Sequence, residues 1–237
     1  MKLSNQTVER IMDATNLAVM LQIDGMILDN EGIRGYNDDE GVIIAALEDF
    51  DFEFDSLGLT RLSSLKNKLA MLQDLSDVTV KAVPKSNNDE IIEKLSFDAG
   101  KIDFEFRCAL VRTITDLPKK KFNKNPEFSF EISEEDVNTI MQGTSTMRCQ
   151  NMTIQGTKKM VRFRFSDDTG DIFNYTLDSS LKIKGDEESM SLTINVKKML
   201  PIFRLAVQPG KFTLNILKNN IVYVSVNGLD VFVMAEV

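Results

Sequence analysis

The sequence predicts an α+β protein built from two similar halves, each with two helices packed on antiparallel sheets. Three observations carry this expectation. A segment of apolar residue, serine and amphipathic helix occurs twice. Short apolar strands are separated by hairpin-type turns. A stretch rich in proline and lysine divides the chain near its middle.

The repeat is read from Lys2-Leu3-Ser4-Asn5-Gln6-Thr7-Val8-Glu9-Arg10-Ile11-Met12 and from Glu131-Ile132-Ser133-Glu134-Glu135-Asp136-Val137-Asn138-Thr139-Ile140-Met141. The serine, valine, isoleucine and methionine fall at matching offsets. Each copy reads as a strand end, a Ser N-cap and a helix with apolar residues at i, i+3 and i+4. Asp136 stands three residues after Ser133, the spacing of a capping box. A second pair follows. Phe52 to Asp55 alternates and leads into a helix expected over Leu57 to Leu69. Leu192 to Asn195 alternates and leads into Val196 to Ala206. Asp55 and Asn195 are the expected caps. Pro201 implies that the regular helix begins near it or kinks there.

Strands are expected over Val42 to Ala46, Val78 to Val83, Leu95 to Phe97, Ile102 to Phe106, Val161 to Phe165, Ile172 to Leu177, Phe212 to Leu217, Ile221 to Val226 and Val231 to Ala235. Turn signals such as Asp98-Ala99-Gly100, Asp167-Asp168-Thr169-Gly170 and Asn219-Asn220 separate them, which favours antiparallel pairing over βαβ crossovers. Residues 116–127 hold two prolines and four lysines and read as an exposed connector. The expected organisation is a first domain over 1–115, the connector over 116–127 and a second domain over 128–237.

Composition narrows the function. The 237 residues are 43% hydrophobic, which supports real cores rather than disorder. The net charge of −8 excludes a generally basic nucleic-acid binder but leaves room for cations clustered on one face. Histidine is absent, which removes the commonest general base and metal ligand. Two distant cysteines, Cys108 and Cys149, cannot form a disulfide framework or a zinc site and read as small buried apolar residues in a reduced, intracellular setting. No signal-peptide pattern opens the sequence, and no apolar run approaches the ~18 residues of a membrane span.

Candidate sites each meet a plainer reading. Asp49 to Asp55 alternates carboxylate and phenylalanine, as the wet and dry faces of one strand do; a calcium loop would carry a central glycine. Asp168-Thr169-Gly170 matches the tripeptide of aspartic proteases, but its polar flanks fit a hairpin turn. A carboxylate hydrolase using Asp167 or Asp168 is one alternative. No phosphate loop or nucleophile elbow is present. Arg61 and Lys68 lie seven apart on one expected helix, and Lys197 and Arg204 on its counterpart, so each pair projects from one face, which by itself fits a solvated helix face as well as a binding one. The connector has two readings: a soluble link carried by its lysines, or a segment whose Leu117 and Phe122 cover an apolar groove beside the last strand.

Two segments carry a family resemblance. Val161-Arg162-Phe163-Arg164-Phe165-Ser166, the turn to Gly170 and Ile172 resemble a sheet segment of sliding clamps. Leu200-Pro201-Ile202-Phe203-Arg204-Leu205-Ala206, Gln208-Pro209-Gly210, Phe212-Thr213-Leu214 and the closing strands look like the final helix and hairpins of those proteins. Met1-Lys2-Leu3-Ser4 and Gln208-Pro209-Gly210 are similar to the DNA polymerase processivity clamps of T-even-type phages, related in shape to proliferating cell nuclear antigen.

The resemblance implies the DNA-clamp fold and a homotrimeric ring around double-stranded DNA, with helices lining the hole. It implies a role without catalysis or cofactor, in the cytoplasm of the host cell, with a DNA polymerase and a clamp loader as partners. Phosphate contacts would come from Arg10, Arg61, Lys66, Lys68, Arg148, Lys197, Lys198 and Arg204. Partner peptides would meet Leu117, Phe122, Val233 and Ala235. Subunits would join by strand pairing of Cys108 to Ile114, through Ala109, Val111 and Thr113, with Asp171 to Leu177, through Ile172, Asn174 and Thr176. A tandem-domain phage structural or adaptor protein is the other alternative.

Overall fold

Most of the expected helices and strands form in the computed structural model, which describes residues 5–30, 32–46, 56–72, 75, 78–86, 88–115, 123–178, 182–183, 188–206, 210–226 and 228–236. The chain divides into unit 1, Met1–Asp39 with Ile43–Lys119, and unit 2, Glu40–Val42 with Lys120–Val237.

Unit 1 opens with helix α1 (Asn5–Met20), which buries Val8, Ile11, Ala14, Leu17 and Ala18 along one face. Thr15 is also buried there, and its hydroxyl donates to the Ile11 carbonyl at 2.6 Å. Then come β1 (Gly25–Asp29), β2 (Gly32–Asn37), β3 (Val42–Ala46) and β4 (Ser56–Thr60), in the order β3-β2-β1-β4. The helix expected from Leu57 begins only at Leu62. Residues 57–60 instead pair antiparallel with β1, from Met26↔Leu59 to Leu28↔Leu57. Gly58 suits a strand that another backbone must approach: Ala109 donates its N–H to the Gly58 carbonyl at 2.8 Å. Arg61 adopts a left-handed conformation, φ 52°, and turns the strand into α2 (Leu62–Ala70), which buries Leu62, Leu65 and Leu69. The expected caps Ser4 and Asp55, and the Asp49–Asp55 strand, lie outside the described residues.

Unit 1 ends in β5 (Thr79–Lys85), β6 (Asn88–Asp98) and β7 (Asp103–Arg107), an antiparallel meander in the order β5-β6-β7. Gly100, at φ +78°, makes the β6–β7 turn and donates its N–H to the Asp98 carboxylate at 2.9 Å.

Unit 2 repeats the scheme. β8 (Phe128–Ser133) leads into α3 (Glu134–Met147) through the expected capping box. The Asp136 N–H donates to Ser133 Oγ at 3.2 Å, and the Ser133 N–H donates to Asp136 Oδ2 at 2.8 Å. Glu134, Glu135 and Asp136 place negative charge at the positive end of the helix dipole. β9 (Asn151–Thr157), β10 (Met160–Ser166), β11 (Ile172–Leu177), β12 (Lys182–Ile183) and β13 (Ser189–Asn195) follow, with the order β11-β10-β9-β13 in one sheet. That order matches β3-β2-β1-β4 of unit 1.

The last helix, α4 (Val196–Ala206), starts five residues before Pro201, not at it. The Asn195 side-chain oxygen accepts the Lys197 N–H at 2.9 Å and sets the start there, as the capping expectation held. β14 (Lys211–Leu217), β15 (Ile221–Val226) and β16 (Leu229–Met234) form the closing meander, with β8 beside β14 and β12 beside β8. Asn219 and Asn220, at φ 64° and 58°, make the β14–β15 turn. Phe163 packs edge-on against Phe130 and Phe203, each at 6.3 Å between ring centroids. These rings join both sheets of unit 2 to α4.

Candidate functional site

The basic side chains do not form one uniform patch, because their own surroundings claim several of them. Arg61 is not on the expected helix but is the left-handed residue before α2; even so, it and Lys68 both lie against β7. The Arg61 guanidinium lies 4.8 Å from the Phe106 ring centre, and the Lys68 ammonium 5.1 Å from that of Phe104. The two phenylalanines are alternate residues of β7 and so lie on one face of the strand. Arg61 also donates to the Arg107 carbonyl at 3.0 Å. Lys66 is half-buried on the same helix. On α1, Arg10 is half-buried near Asp13, whose carboxyl is held above its ordinary value by burial while the Arg10 charge opposes the shift. Arg148 is exposed at the C-cap of α3, in a left-handed conformation with φ 50°.

On α4 the polar and apolar faces separate cleanly. Val196, Met199, Ile202, Phe203 and Ala206 are buried, while Lys197 and Arg204 are exposed two turns apart. Lys198 departs from the expected role. Its ammonium lies 3.4 Å from Glu40 and 3.3 Å from Glu236, and its side chain is only 12% exposed. Two carboxylates neutralise it, so it offers phosphate no free charge.

The expected strand over 108–114 is not formed. Ala109 makes a single bridge to Gly58, and Val111–Thr113 is a turn of 3-10 helix. The N–H groups of Thr113 and Ile114 are taken by the Leu110 and Val111 carbonyls at 2.9 and 3.0 Å. Beyond the single bridge of Ala109 to β4, local turn bonds satisfy this backbone. Ala109 and Val111 are half-buried and Thr113 is exposed. The opposite member of the expected pair is a strand over the expected range. β11 is the terminal strand of its sheet, and Ile172, Asn174 and Thr176 are exposed on it while Phe173 and Tyr175 turn inward. The Tyr175 hydroxyl donates to Asp136 at 2.7 Å, and burial, reinforced by that bond, pushes its pKa up to about 12. Gly143 of α3 lets the helix approach β11, since a Cβ there would sit 2.5 Å from the Phe173 ring.

Of the expected peptide-contact residues, Leu117 and Phe122 lie outside the described residues. Val233 is buried, 1% exposed, and its side chain is not offered to a partner; Ala235 is half-buried. β16 is buried on both faces until Met234, which is 47% exposed and was missed by sequence reading. One connector residue has a defined anchor. The Lys124 ammonium pairs with the buried Asp230 carboxylate, which also accepts the Tyr223 hydroxyl at 2.8 Å. Burial, with that hydrogen bond, raises the Tyr223 pKa to about 12.

Of the two carboxylates weighed for chemistry, Asp167 is engaged in a turn and Asp168 is exposed on it. Asp167 Oδ1 accepts the Thr169 N–H, the Thr169 hydroxyl and the Asp171 N–H at 2.8–2.9 Å, and these bonds, led by the Thr169 hydroxyl, hold its carboxyl below the ordinary value. This is the hairpin between β10 and β11. Cys108 and Cys149 are half-buried, not buried as expected, and burial pushes the Cys108 thiol up to about 12. Among the described residues no three His, Cys, Asp or Glu side chains converge on a metal position, and no helix is long and apolar enough to cross a membrane.

No protein-family model matches the sequence, and no curated protein matches it. Among solved structures, the chain is similar to the crystal structure of Proliferating Cellular Nuclear Antigen from Entamoeba histolytica. The TM-score is 0.71 at 13% identity, over 100% of this chain and 98% of that one. The likeness is one of fold: two similar units, each with helices on antiparallel sheets, in the arrangement of DNA clamps.

Proposed function

We propose that three copies of this chain close into a ring around duplex DNA and hold a replicative polymerase to its template, as a sliding clamp of the T-even-phage type. The observation that carries this reading is the doubled unit. The orders β3-β2-β1-β4 and β11-β10-β9-β13 coincide, each followed by a helix and a three-strand meander, within a fold that matches a clamp over the full chain. Domain limits of 1–115 and 128–237, with the connector between them, fit that doubling.

The mechanism is topological and needs no bond to be made or broken. Arg10, Arg61, Lys66, Lys68, Arg148, Lys197 and Arg204 touch phosphates weakly enough to slide, and the net charge of −8 limits tight nonspecific binding. Subunits join by pairing β11 with residues 108–114 of a neighbour. That pairing exchanges the two turn bonds of Thr113 and Ile114 for bonds between chains. Peptides of the polymerase and the clamp loader dock beside the end of β16, at Ala235 and Met234, together with Leu117 and Phe122 of the connector. The site of action is the host-cell cytoplasm.

The test is the length of DNA made by the cognate polymerase in one binding event, with loader and a polymerase trap present. The wild-type chain should lengthen products strongly. Lys197→Glu/Arg204→Glu should lose roughly tenfold of that gain and show a weaker salt dependence. No lengthening by the wild type would end this reading.

A further inference from the structure

Asp230 and Phe232 lie on the face of β16 opposite Val231 and Val233, and both are buried there. The Tyr223 ring of β15 stacks on Phe232, at 5.0 Å between ring centroids. Its hydroxyl donates to Asp230 Oδ1 at 2.8 Å. The Lys124 ammonium pairs with Asp230 Oδ2 and lies 5.8 Å from the centre of the Tyr223 ring. Lys124 comes from the connector. Three residues later Glu127 is already fixed on β14, its N–H donating to the Ile216 carbonyl at 2.8 Å. Three residues span at most about 10 Å, roughly two strand spacings. The chain over 124–127 therefore runs across the strands, from β14 towards β15 and β16, as a strap.

The two ends of the ion pair differ. The Asp230 side chain is 10% exposed and that of Lys124 is 44% exposed. A buried carboxylate is costly unless it is paired and hydrogen-bonded. An apolar side chain would serve packing better at this position, so the buried carboxylate points to the cation it holds. When Lys124 swings out to water, the Tyr223 hydroxyl still holds Asp230, and the open state keeps one partner for the charge. We infer that Lys124, Tyr223 and Asp230 form a latch that straps the end of the connector onto the closing sheet, and that the closed latch raises the affinity for the polymerase. The gain in affinity rests on the docking of polymerase peptides beside the connector; the latch itself does not. A strap fixed before the encounter need not be ordered during it, and ordering opposes binding.

The experiment compares the full chain with Lys124→Met, Lys124→Arg, Asp230→Asn and the double variant Lys124→Met/Asp230→Asn. Hydrogen exchange read by mass spectrometry follows peptides covering 123–128. Lys124→Met and Asp230→Asn should each speed exchange there by about tenfold, and the double variant no further than either, because both remove one pair. Lys124→Arg keeps a cation and should stay within about threefold of the wild type. Exchange in β9 and β10 should not change, which separates release of the strap from general loosening. The Kd for the cognate polymerase should rise by roughly three- to tenfold in the two charge-removing variants and hold in Lys124→Arg. Unchanged exchange over 123–128 in both Lys124→Met and Asp230→Asn overturns the latch. Faster exchange with unchanged polymerase affinity overturns its effect on docking. A wild type that does not bind the polymerase overturns the docking reading, and exchange then decides the latch alone.

Discussion

Replacing Phe203 by alanine is expected to destabilise unit 2 by about 3–5 kcal/mol, the range for deleting a fully buried aromatic side chain. Phe203 is 0% exposed on α4. Its ring meets Phe163 of β10 at 6.3 Å and Phe212 of β14 at 5.8 Å. One side chain thus ties the helix to both sheets, and its removal leaves a cavity that rigid strands on two sides cannot close. Urea unfolding should show a lower midpoint at unchanged slope. Phe203→Leu, which retains most of the volume, should cost less than half as much. A loss under about 1 kcal/mol for the alanine variant would mean that α4 is not fixed by this cluster.

Gly58→Ala should also act strongly, with its effect reaching the proposed joint. A Cβ at Gly58 would stand 2.7 Å from the Ala109 carbonyl oxygen and 2.7 Å from Ile114 Cδ1. The isoleucine tip can move, but the carbonyl belongs to backbone whose own N–H is bonded to Gly58. The segment over 109–114 must therefore shift, at about 1–3 kcal/mol, the usual cost of overpacking. Hydrogen exchange at the Ala109 amide should speed up, and assembly should weaken with it. Unchanged protection at Ala109 would show that the bridge does not hold the segment.

The sequence made some elements legible and hid others for physical reasons. The capping box at Ser133 and Asp136 was readable because its residues and spacing are local. The strand limits of β11 and β15 were readable because apolar alternation is bounded there by turn residues on both sides. β1 escaped because its apolar run, Met26 to Leu28, is only three residues long and too short to mark a strand, unlike the longer run of β3. β9 escaped because Gly156 occupies one of its inward positions and breaks the apolar pattern. The helix expected from Leu57 failed because leucines at 57, 59, 62, 65 and 69 satisfy both periods, and only pairing with β1 decides between them.

The candidate site was legible to the same local degree. Seven-residue spacing placed Lys197 with Arg204, since both lie on α4 and a helix fixes that geometry by itself; Arg61 precedes α2 in a left-handed conformation, and its place beside Lys68 comes from the contacts of both with β7. The neutralisation of Lys198 was not legible, because Glu40 stands 158 positions earlier in the chain. Nor was the burial of Val233 beside an exposed Met234: β16 is covered on both faces, so alternation cannot tell its surfaces apart.

The central claim is that the protein works by encircling DNA, and retention on DNA of different topology tests it most directly. The loaded protein, washed at a salt concentration that removes phosphate-bound proteins, should remain on nicked circular duplex and leave the same DNA once it is cut to a linear form with free ends. Equal retention on circular and linear DNA, or none on either in the presence of its loader, would contradict the account.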